Sequence, residues 1–252
     1  RSQRVLLIGQ GPDGHPYATH EFMAGVNLLA GLLNKTPRLQ TIVVKADGPW
    51  SDGPELLDGA DAAVLYLAQG ARWIQQDASR LAAFQRLAER GGGLSVLHWG
   101  MGTKDPQYID EFVKLFGGCH GGPDRKYKVL TARAELASPG HPVLRAISPF
   151  EVEDEFYYAL KVPRPADAVA PLIQVSIDGA RQTVGWAWPR ADGGRSFGFS
   201  GLHFHKNWEL EPYRRLVAQG VLWTLRRAIP EDGLDVDVAD GDLKLPPPPS
   251  PK

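Results

Sequence analysis

The sequence has one cysteine, no long apolar run and no excess of either charge. Cys119 is the only cysteine among 252 residues, which excludes an internal disulfide and a zinc site built on cysteines. Lys and Arg number 28 against 29 Asp and Glu, and this balance argues against nucleic acid or an anionic membrane as the main partner. No stretch has membrane-spanning length. We therefore expect a soluble protein with neither a nucleic-acid nor a membrane partner.

The first residue, Arg1, is not a methionine. This leaves two bacterial compartments open: the cytoplasm, or the periplasm or exterior after removal of a signal peptide. A single cysteine fits either compartment. Chain length is sufficient to bury a sizeable core without disulfides, as one α/β unit with additions. The oligomeric state stays open, a homo-oligomer included.

Short apolar runs bounded by glycine predict four buried strands in the first hundred residues. The predicted strands cover residues 4–9, 39–44, 62–67 and 94–97, and amphipathic helices are predicted at 20–33, 77–90 and 109–116. Thr19 is the predicted N-cap of the first helix, which would put His20 and Glu21 in its first turn. Strands that alternate with helices indicate a parallel sheet covered on both faces.

The pattern changes after Lys126, where strands follow one another without helices. Predicted strands cover 127–130, 170–175, 183–188 and 196–201, with hairpin turns at 178–179 and 192–194, and a final helix covers 213–226. We expect an antiparallel extension of the main sheet, or a small β layer beside it. A single domain would span residues 1–230. Residues 231–252 would form an extended tail rich in proline, at 246–249 and 251, which either links to another domain or is a terminus.

His98 is the first candidate functional residue. It follows the fourth predicted strand and stands before a glycine-rich turn. Ligands of open parallel sheets bind just beyond the carboxyl ends of the strands, so His98 is predicted to lie at the centre of a pocket. The alternative is a buried, hydrogen-bonded histidine at a strand end. Trp99 follows it directly and shares the predicted pocket.

The glycines of residues 9–14 match the G-x-G-x-x-G spacing of dinucleotide-binding loops. However, Pro12 removes one amide, no helix starts at Gly14, and Asp47 lies too far along the chain to bind a ribose. We therefore expect no nucleotide cofactor and predict a loop over the carboxyl edge of the sheet. His20 would lie beside this edge.

Two further segments combine small or acidic residues with possible ligand-binding groups. In residues 119–123, His120 is the one long polar side chain of a glycine-rich loop, which predicts either ligand contact or a plain helix end. In residues 151–158, four acids precede two tyrosines. This segment is either a solvated acidic loop, or a sugar site in which Asp154 and Glu155 accept from hydroxyls while Tyr157 covers a C–H face.

His203 and His205 end the last predicted strand at positions i and i+2, which share one face. Together with His98 they would form a divalent metal site, or they would bind a polar ligand directly. Trp208 follows closely and is predicted to wall the pocket. Because Cys119 stands in a loop and no G-x-S-x-G motif occurs, nucleophilic catalysis has little support. Proton transfer by histidines and carboxylates remains, with or without a metal.

In motif order and spacing, the chain from Val5 to Leu225 resembles the trehalose-utilisation (ThuA-like) family. The motifs are Thr19-His20-Glu21-Phe22, Gly91 through His98, Gly117-Gly118, Gly140-His141-Pro142-Val143, Asp154-Glu155-Phe156-Tyr157, Gly201-Leu202-His203 and Tyr213 through Trp223. The resemblance implies the fold of class I glutamine amidotransferases, a flavodoxin-like three-layer sandwich with a mostly parallel central sheet. Those enzymes carry a catalytic cysteine where this chain has His98-Trp99-Gly100, so cysteine-dependent amidotransferase activity is not implied.

The resemblance further implies a role in carbohydrate metabolism, on a saccharide such as an oxidised (3-keto) glycoside. We predict hydrolysis or elimination, with Glu155 or His98 as the base. The assigned residues are His98, Glu155 and His203 for catalysis; His20, Trp99, His120, Asp154, Tyr157, His205 and Trp208 for substrate; and His98, His203 and His205 for a divalent metal. Two rival hypotheses are a non-catalytic carbohydrate-binding or sensing module and a nucleotide-binding protein that uses the 9–14 loop. His141 is expected to have a structural role in its turn.

Overall fold

The computed structural model describes residues 1–248, apart from the side chain of Asp167, so Pro249 and Pro251 of the predicted tail lie outside the described residues. The strands are β1 (Gln3–Gly9), β2 (Leu39–Lys45), β3 (Ala62–Tyr66), β4 (Gly93–Leu97), β5 (Gly102–Thr103), β6 (His120–Gly121), β7 (Lys126–Leu136), β8 (Phe150–Tyr158), β9 (Ala170–Ile177), β10 (Ala180–Pro189) and β11 (Arg195–Phe199). The helices are α1 (Phe22–Leu33), α2 (Gly53–Asp58), α3 (Gly70–Gln75), α4 (Ala78–Glu89), α5 (Ile109–Phe116) and α6 (Glu211–Thr224).

Nine strands form one sheet in the order β2-β1-β3-β4-β11-β10-β9-β7-β8. The strands from β2 to β11 in this order are parallel, and the pairings from β11 onward are antiparallel. The predicted antiparallel extension is therefore confirmed. The extension is larger than expected, because the antiparallel half has as many pairings as the parallel half.

The core lies on both faces of the parallel half. Val5 to Ile8 of β1 and all of β3 and β4 are buried, as expected for strands covered on both sides. Two groups of helices provide the cover: α1 contacts α6, which lies on β4 and β11, while α4 contacts α2, α3 and α5. His98 therefore follows a strand that is fixed by packing on every side.

The start of α1 differs from the sequence prediction. The helix begins at Phe22, and its N-cap residue, Glu21, makes no side-chain capping hydrogen bond. Thr19 forms an isolated β-bridge with Phe204 instead of capping the helix. As a result His20 lies before the helix rather than in its first turn, and the bridge ties its backbone to the loop that follows β11.

The antiparallel half bends back over the carboxyl end of the parallel half. In pairing order β8 is the edge strand, four strands beyond β11. Even so, the Ser200 hydroxyl donates to the Tyr157 carbonyl oxygen at 2.9 Å, and the Tyr157 hydroxyl lies 3.0 Å from Nε2 of His98. The segment predicted in one interpretation as an acidic loop is thus a strand, and its end reaches the site.

Residues 231–248 contain no helix or strand and are hydrogen-bonded to α6 and to Tyr17 and Lys35 on either side of α1. Val236 is buried, and its carbonyl oxygen accepts a hydrogen bond from Nε of Arg214 at 2.8 Å. Among the described residues, no helix combines the length and apolar character that crossing a bilayer requires.

Candidate active site

His98 is held in one orientation at the end of β4. Its backbone is in the left-handed region, with φ of 45°, and its side chain is 0% exposed. Nδ1 lies 2.7 Å from the carbonyl oxygen of Ser200. Because a carbonyl oxygen only accepts, Nδ1 carries the proton, and Nε2 presents its lone pair. The residue is both a buried, hydrogen-bonded histidine and the centre of a cluster.

Four polar groups surround Nε2 of His98. Nε2 of His20 is 3.1 Å away, the Tyr157 hydroxyl 3.0 Å, Nδ1 of His203 3.3 Å and Oε1 of Glu155 3.8 Å. The same Glu155 oxygen lies 3.6 Å from Nδ1 of His203. Five residues that are far apart in sequence therefore meet at one point. His98 follows β4, His203 follows β11, His20 precedes α1, and Glu155 and Tyr157 lie on β8.

His20 is oriented in the same way as His98. Its Nδ1 lies 2.8 Å from a carboxylate oxygen of Asp13, so the proton is on Nδ1 and the Nε2 lone pair faces the cluster. Two lone pairs 3.1 Å apart repel each other unless a proton or a metal cation lies between them. An outer carboxylate or carbonyl that fixes an imidazole in this way is typical of the second shell of metal sites.

The local environment keeps the imidazoles neutral at pH 7. Burial lowers the pKa of His98 well below its usual range, and also lowers the pKa of His20. Burial, with the nearby His20 and His15, lowers the pKa of His203 to about 4. The pKa of Glu155 is raised, mainly by burial. Neutral imidazoles and a carboxylate are what a divalent cation needs as ligands.

These four side chains can hold one metal ion. One ligand atom from each of His20, His98, Glu155 and His203 lies within 4.8 Å of the others. Three nitrogens and one oxygen form a ligand set that suits zinc, and imidazole also suits other divalent transition metals. The predicted set of His98, His203 and His205 is corrected accordingly: His20 and Glu155 are members, and His205 is not.

Strained backbone surrounds the cluster. Ala18, His20, Gln69, His98 and Leu202 all have positive φ, although none is glycine. Such conformations cost about 1–3 kcal/mol each and concentrate at functional sites. The fold therefore maintains this arrangement at an energetic cost.

Asp154 lies on the other face of β8 from Glu155 and is fully buried. Its carboxylate accepts from the amides of Leu202 at 2.7 Å and His203 at 3.1 Å, and from the Tyr213 hydroxyl at 2.9 Å. Burial raises its pKa to about 6, against the lowering effect of these hydrogen bonds. Asp154 positions the loop that carries His203 and does not reach the cavity, which differs from its predicted contact with substrate.

A cavity of about 320 Å³ opens beside the cluster. Of the predicted site residues, the structure places His20, Trp99, His120, Glu155 and Tyr157 in its lining. His120 stacks on Tyr157 with ring centroids 3.9 Å apart and 4° between planes. His98 and His203 stand behind this wall. A cavity of this size fits a small ligand such as a sugar ring.

His205 and Trp208 lie away from the cavity. The last strand ends at Phe199 and a helical turn begins at His205, so the two-residue alternation that would have put His203 and His205 on one face does not apply. His205 donates from Nε2 to the Leu243 carbonyl oxygen at 3.2 Å. Trp208 is 0% exposed and belongs to the core.

Seven cavity residues were not singled out from the sequence. They are Asp13, His15, Ala68, Gln69, Lys104, Arg125 and Tyr127. Asp13 and His15 follow β1, just as His98 follows β4, so the strand-end argument applied to every parallel strand would have identified them. His15 stacks on His20, with ring centroids 3.7 Å apart. Lys104, Arg125 and Tyr127 follow no strand of the parallel half, and their positions depend on the tertiary fold.

Three other sequence expectations can be compared with the structure. His141 accepts at Nδ1 from the Val143 amide at 3.2 Å, which confirms its place in a turn. Cys119 is buried, and burial raises the pKa of its thiol to about 12, so it is a poor nucleophile. In the 9–14 loop the Gly11 amide donates to the Asp47 carboxylate at 3.0 Å, and this negative charge disfavours a phosphate there.

Comparisons with known proteins agree with this architecture. A ThuA-like protein of Bacteroides uniformis superposes with a TM-score of 0.70 at 15% identity, over 93% of this chain and 95% of that one. A ThuA-like protein of Parabacteroides merdae gives 0.68 at 13% identity, over 98% and 100%. A cytoplasmic protein of Salmonella typhimurium gives 0.57 at 16% identity, over 87% and 98%. At these identities the likeness shows the fold alone.

Comparison by sequence gives the family. No curated protein matches the chain. The family model described as "ThuA: Trehalose utilisation" matches residues 10–224, which include every member of the His98 cluster. The chain therefore belongs to the ThuA family, whose role is in trehalose utilisation and is thus related to carbohydrates.

Proposed function

We propose that the protein is an enzyme that cleaves a glycoside, favouring a 3-keto glycoside, by elimination or hydrolysis with acid–base groups and a divalent metal ion. One observation carries the proposal: His20, His98, His203 and Glu155 converge within 4.8 Å at the wall of a cavity that fits a sugar ring. The family's link to trehalose supports a saccharide as the ligand.

A ketone at C3 of the sugar makes the proton on C2 acidic. Glu155 lines the cavity and has a raised pKa, which suits a general base. In an elimination, Glu155 takes the C2 proton, the C1–O bond breaks with its electrons leaving on the aglycone oxygen, and the protonated Glu155 returns its proton to that oxygen. A bound divalent cation would polarise the ketone.

Of the two residues predicted as the base, Glu155 is favoured over His98. His98 is 0% exposed and does not line the cavity, and its Nδ1 proton is held by Ser200. In this proposal His20, His98 and His203 would hold the cation, which leaves Glu155 as the base, and Asp13 and Ser200 orient the imidazoles of His20 and His98. Trp99, His120 and Tyr157 would contact the sugar through their rings.

The test combines elemental analysis with turnover of a 3-keto glucoside. We expect about one divalent ion per chain in the purified protein. His98→Ala and His203→Ala should each lose most of the metal and lower kcat/KM by at least about a thousandfold, equivalent to about 4 kcal/mol. His141→Ala, which removes a histidine from a turn outside the cluster, is the matched control. Unchanged turnover in both cluster variants would remove the mechanism.

The alternative is a non-catalytic carbohydrate-binding or sensing module. The rings of Trp99, Tyr127 and Tyr157 in the cavity lining favour it, since aromatic faces bind sugars without any chemistry. Calorimetric binding of the saccharide with no product after prolonged incubation would support this alternative and exclude the enzymatic proposal.

A further inference from the structure

A second, larger cavity adjoins the candidate active site. It has a volume of about 1230 Å³ and lies between α1 and residues 237–248 of the tail. Most of its exposed lining is apolar, and Asp13, His15 and His20 line both cavities. The two cavities therefore meet at these three side chains.

The floor of this second cavity is one face of α1. Ala24, Asn27, Leu28 and Gly31 recur at helical spacing and all line it. A Cβ added to Gly31 would meet nothing within 4 Å, so the open space begins directly at the helix backbone. A helix that is apolar on nearly every side normally has each face packed, and here this face borders a cavity.

The tail forms the opposite wall and is tied down at both ends. Near its start, Nζ of Lys35 donates to the Asp237 carbonyl oxygen at 2.7 Å. Near its end, the Tyr17 hydroxyl donates to the Pro246 carbonyl oxygen at 2.9 Å, and His205 donates to that of Leu243. These anchors fix the tail opposite the cavity-lining face of α1. Most residues of this wall are exposed, so the space is an open cleft with room for a ligand.

We propose that this cavity binds the apolar aglycone of a glycoside whose sugar ring lies at His20 and Glu155. The placement of the sugar ring rests on the proposed function, whereas the binding of an apolar aglycone rests on the cavity itself. Its outer wall lies beyond residue 224, where the family model ends. Preference for the aglycone is therefore a property of this chain's own tail.

The test compares binding of methyl, 4-nitrophenyl and hexyl glucosides to the intact protein by calorimetry. The two larger aglycones should bind at least about tenfold more tightly than methyl, since each buries additional apolar surface. Gly31→Leu fills the floor of the cavity and should reduce this preference to within about twofold, with methyl glucoside binding unchanged. Asn27→Trp fills the same face one turn earlier and serves as the second variant if Gly31→Leu unfolds.

The matched control is Gly140→Leu. Gly140 also has nothing within 4 Å of an added Cβ, but it lines neither cavity, so the preference should persist. Equal affinity for all three glucosides, absence of binding, or a preference that survives both cavity-filling variants would overturn the proposal. These results are separate from the proposed function, which is judged by turnover and metal content in the His98 variant.

Discussion

The two halves of the sheet contribute to the site in different ways. The parallel half supplies His98 from the end of a strand buried on both faces, at the place where ligands of parallel sheets usually bind. The antiparallel half supplies Glu155 and Tyr157 from an edge strand that folds back from the far side of the sheet. The strand order of the parallel half is enough to locate His98. Glu155 and Tyr157 reach His98 only because the antiparallel half bends back.

Alternation along β8 divides its residues into two functions. Glu155 and Tyr157 share the face that meets His98, and Glu153, earlier on this face, pairs with Lys206 at the surface. Asp154 on the opposite face binds the backbone of the loop that carries His203. One strand therefore supplies both a member of the His98 cluster and the support for the loop that carries another member.

The largest predicted effect separates two glutamates on one face of β8. Glu155→Gln should lower kcat on a 3-keto glucoside by about a thousandfold, because it removes the proposed base. Glu153→Gln makes the same change two residues away, outside the cluster, and its kcat should stay within about twofold of the wild-type value. Similar losses in both variants would show that the face matters only for structure.

The next prediction concerns His120, which stacks on Tyr157 of the antiparallel half and lies edge-on to Trp99 after β4. Burial, with a smaller effect of Arg125, lowers its pKa from 6.5 to about 3. Only the unfolded chain takes up this proton between these values, so the free energy of unfolding falls as pH drops below 6.5. Between pH 6.5 and 4, His120 should lower the free energy of unfolding by about 3 kcal/mol.

His120→Phe keeps a ring for stacking and removes the titration. The free energy of unfolding is measured by denaturant titration at several pH values. Between pH 6.5 and 4 it should fall by about 3 kcal/mol less in the variant than in the wild type. Parallel pH profiles of the two proteins would contradict the buried neutral imidazole.

Asp154→Asn tests the link from β8 to the loop after β11. An amide in place of the carboxylate turns a donor toward the Leu202 or His203 amide, which should lower the free energy of unfolding at pH 7 by about 2 kcal/mol. Metal affinity should fall as well, since His203 loses its support. Glu151→Gln, an exposed change on the same strand, should alter neither quantity measurably.

Much of this fold follows from local sequence patterns. Apolar runs identified the strands of the parallel half, and the hairpin turns at 178–179 and 192–194 identified the antiparallel pairings. The position of His98 also followed, because the end of a buried strand is a local feature. The start of α1 was misplaced because Thr19 pairs with Phe204, a partner far away in the sequence.

The rest of the site depends on contacts that no local pattern contains. His205 leaves the cluster because the chain turns at that residue and the tail offers it a carbonyl oxygen. Asp13 belongs to the site because its carboxylate orients the imidazole of His20. The bend that brings β8 to β4 is a property of the whole sheet, so a sequence could suggest Glu155 and Tyr157 by residue type but not their distance from His98.

The smallest predicted effect compares two tryptophans that the sequence assigned to one pocket. Trp99 follows β4 and lines the cavity, whereas Trp208 is in the core. Trp99→Phe should weaken saccharide binding by about three- to tenfold through lost ring area, with the fold retained. Trp208→Phe should leave binding within about twofold and instead lower the melting temperature, because it opens space beside Gly25 of α1. If Trp208→Phe impaired binding as much as Trp99→Phe at equal stability, the parallel half would not end in a localised cavity.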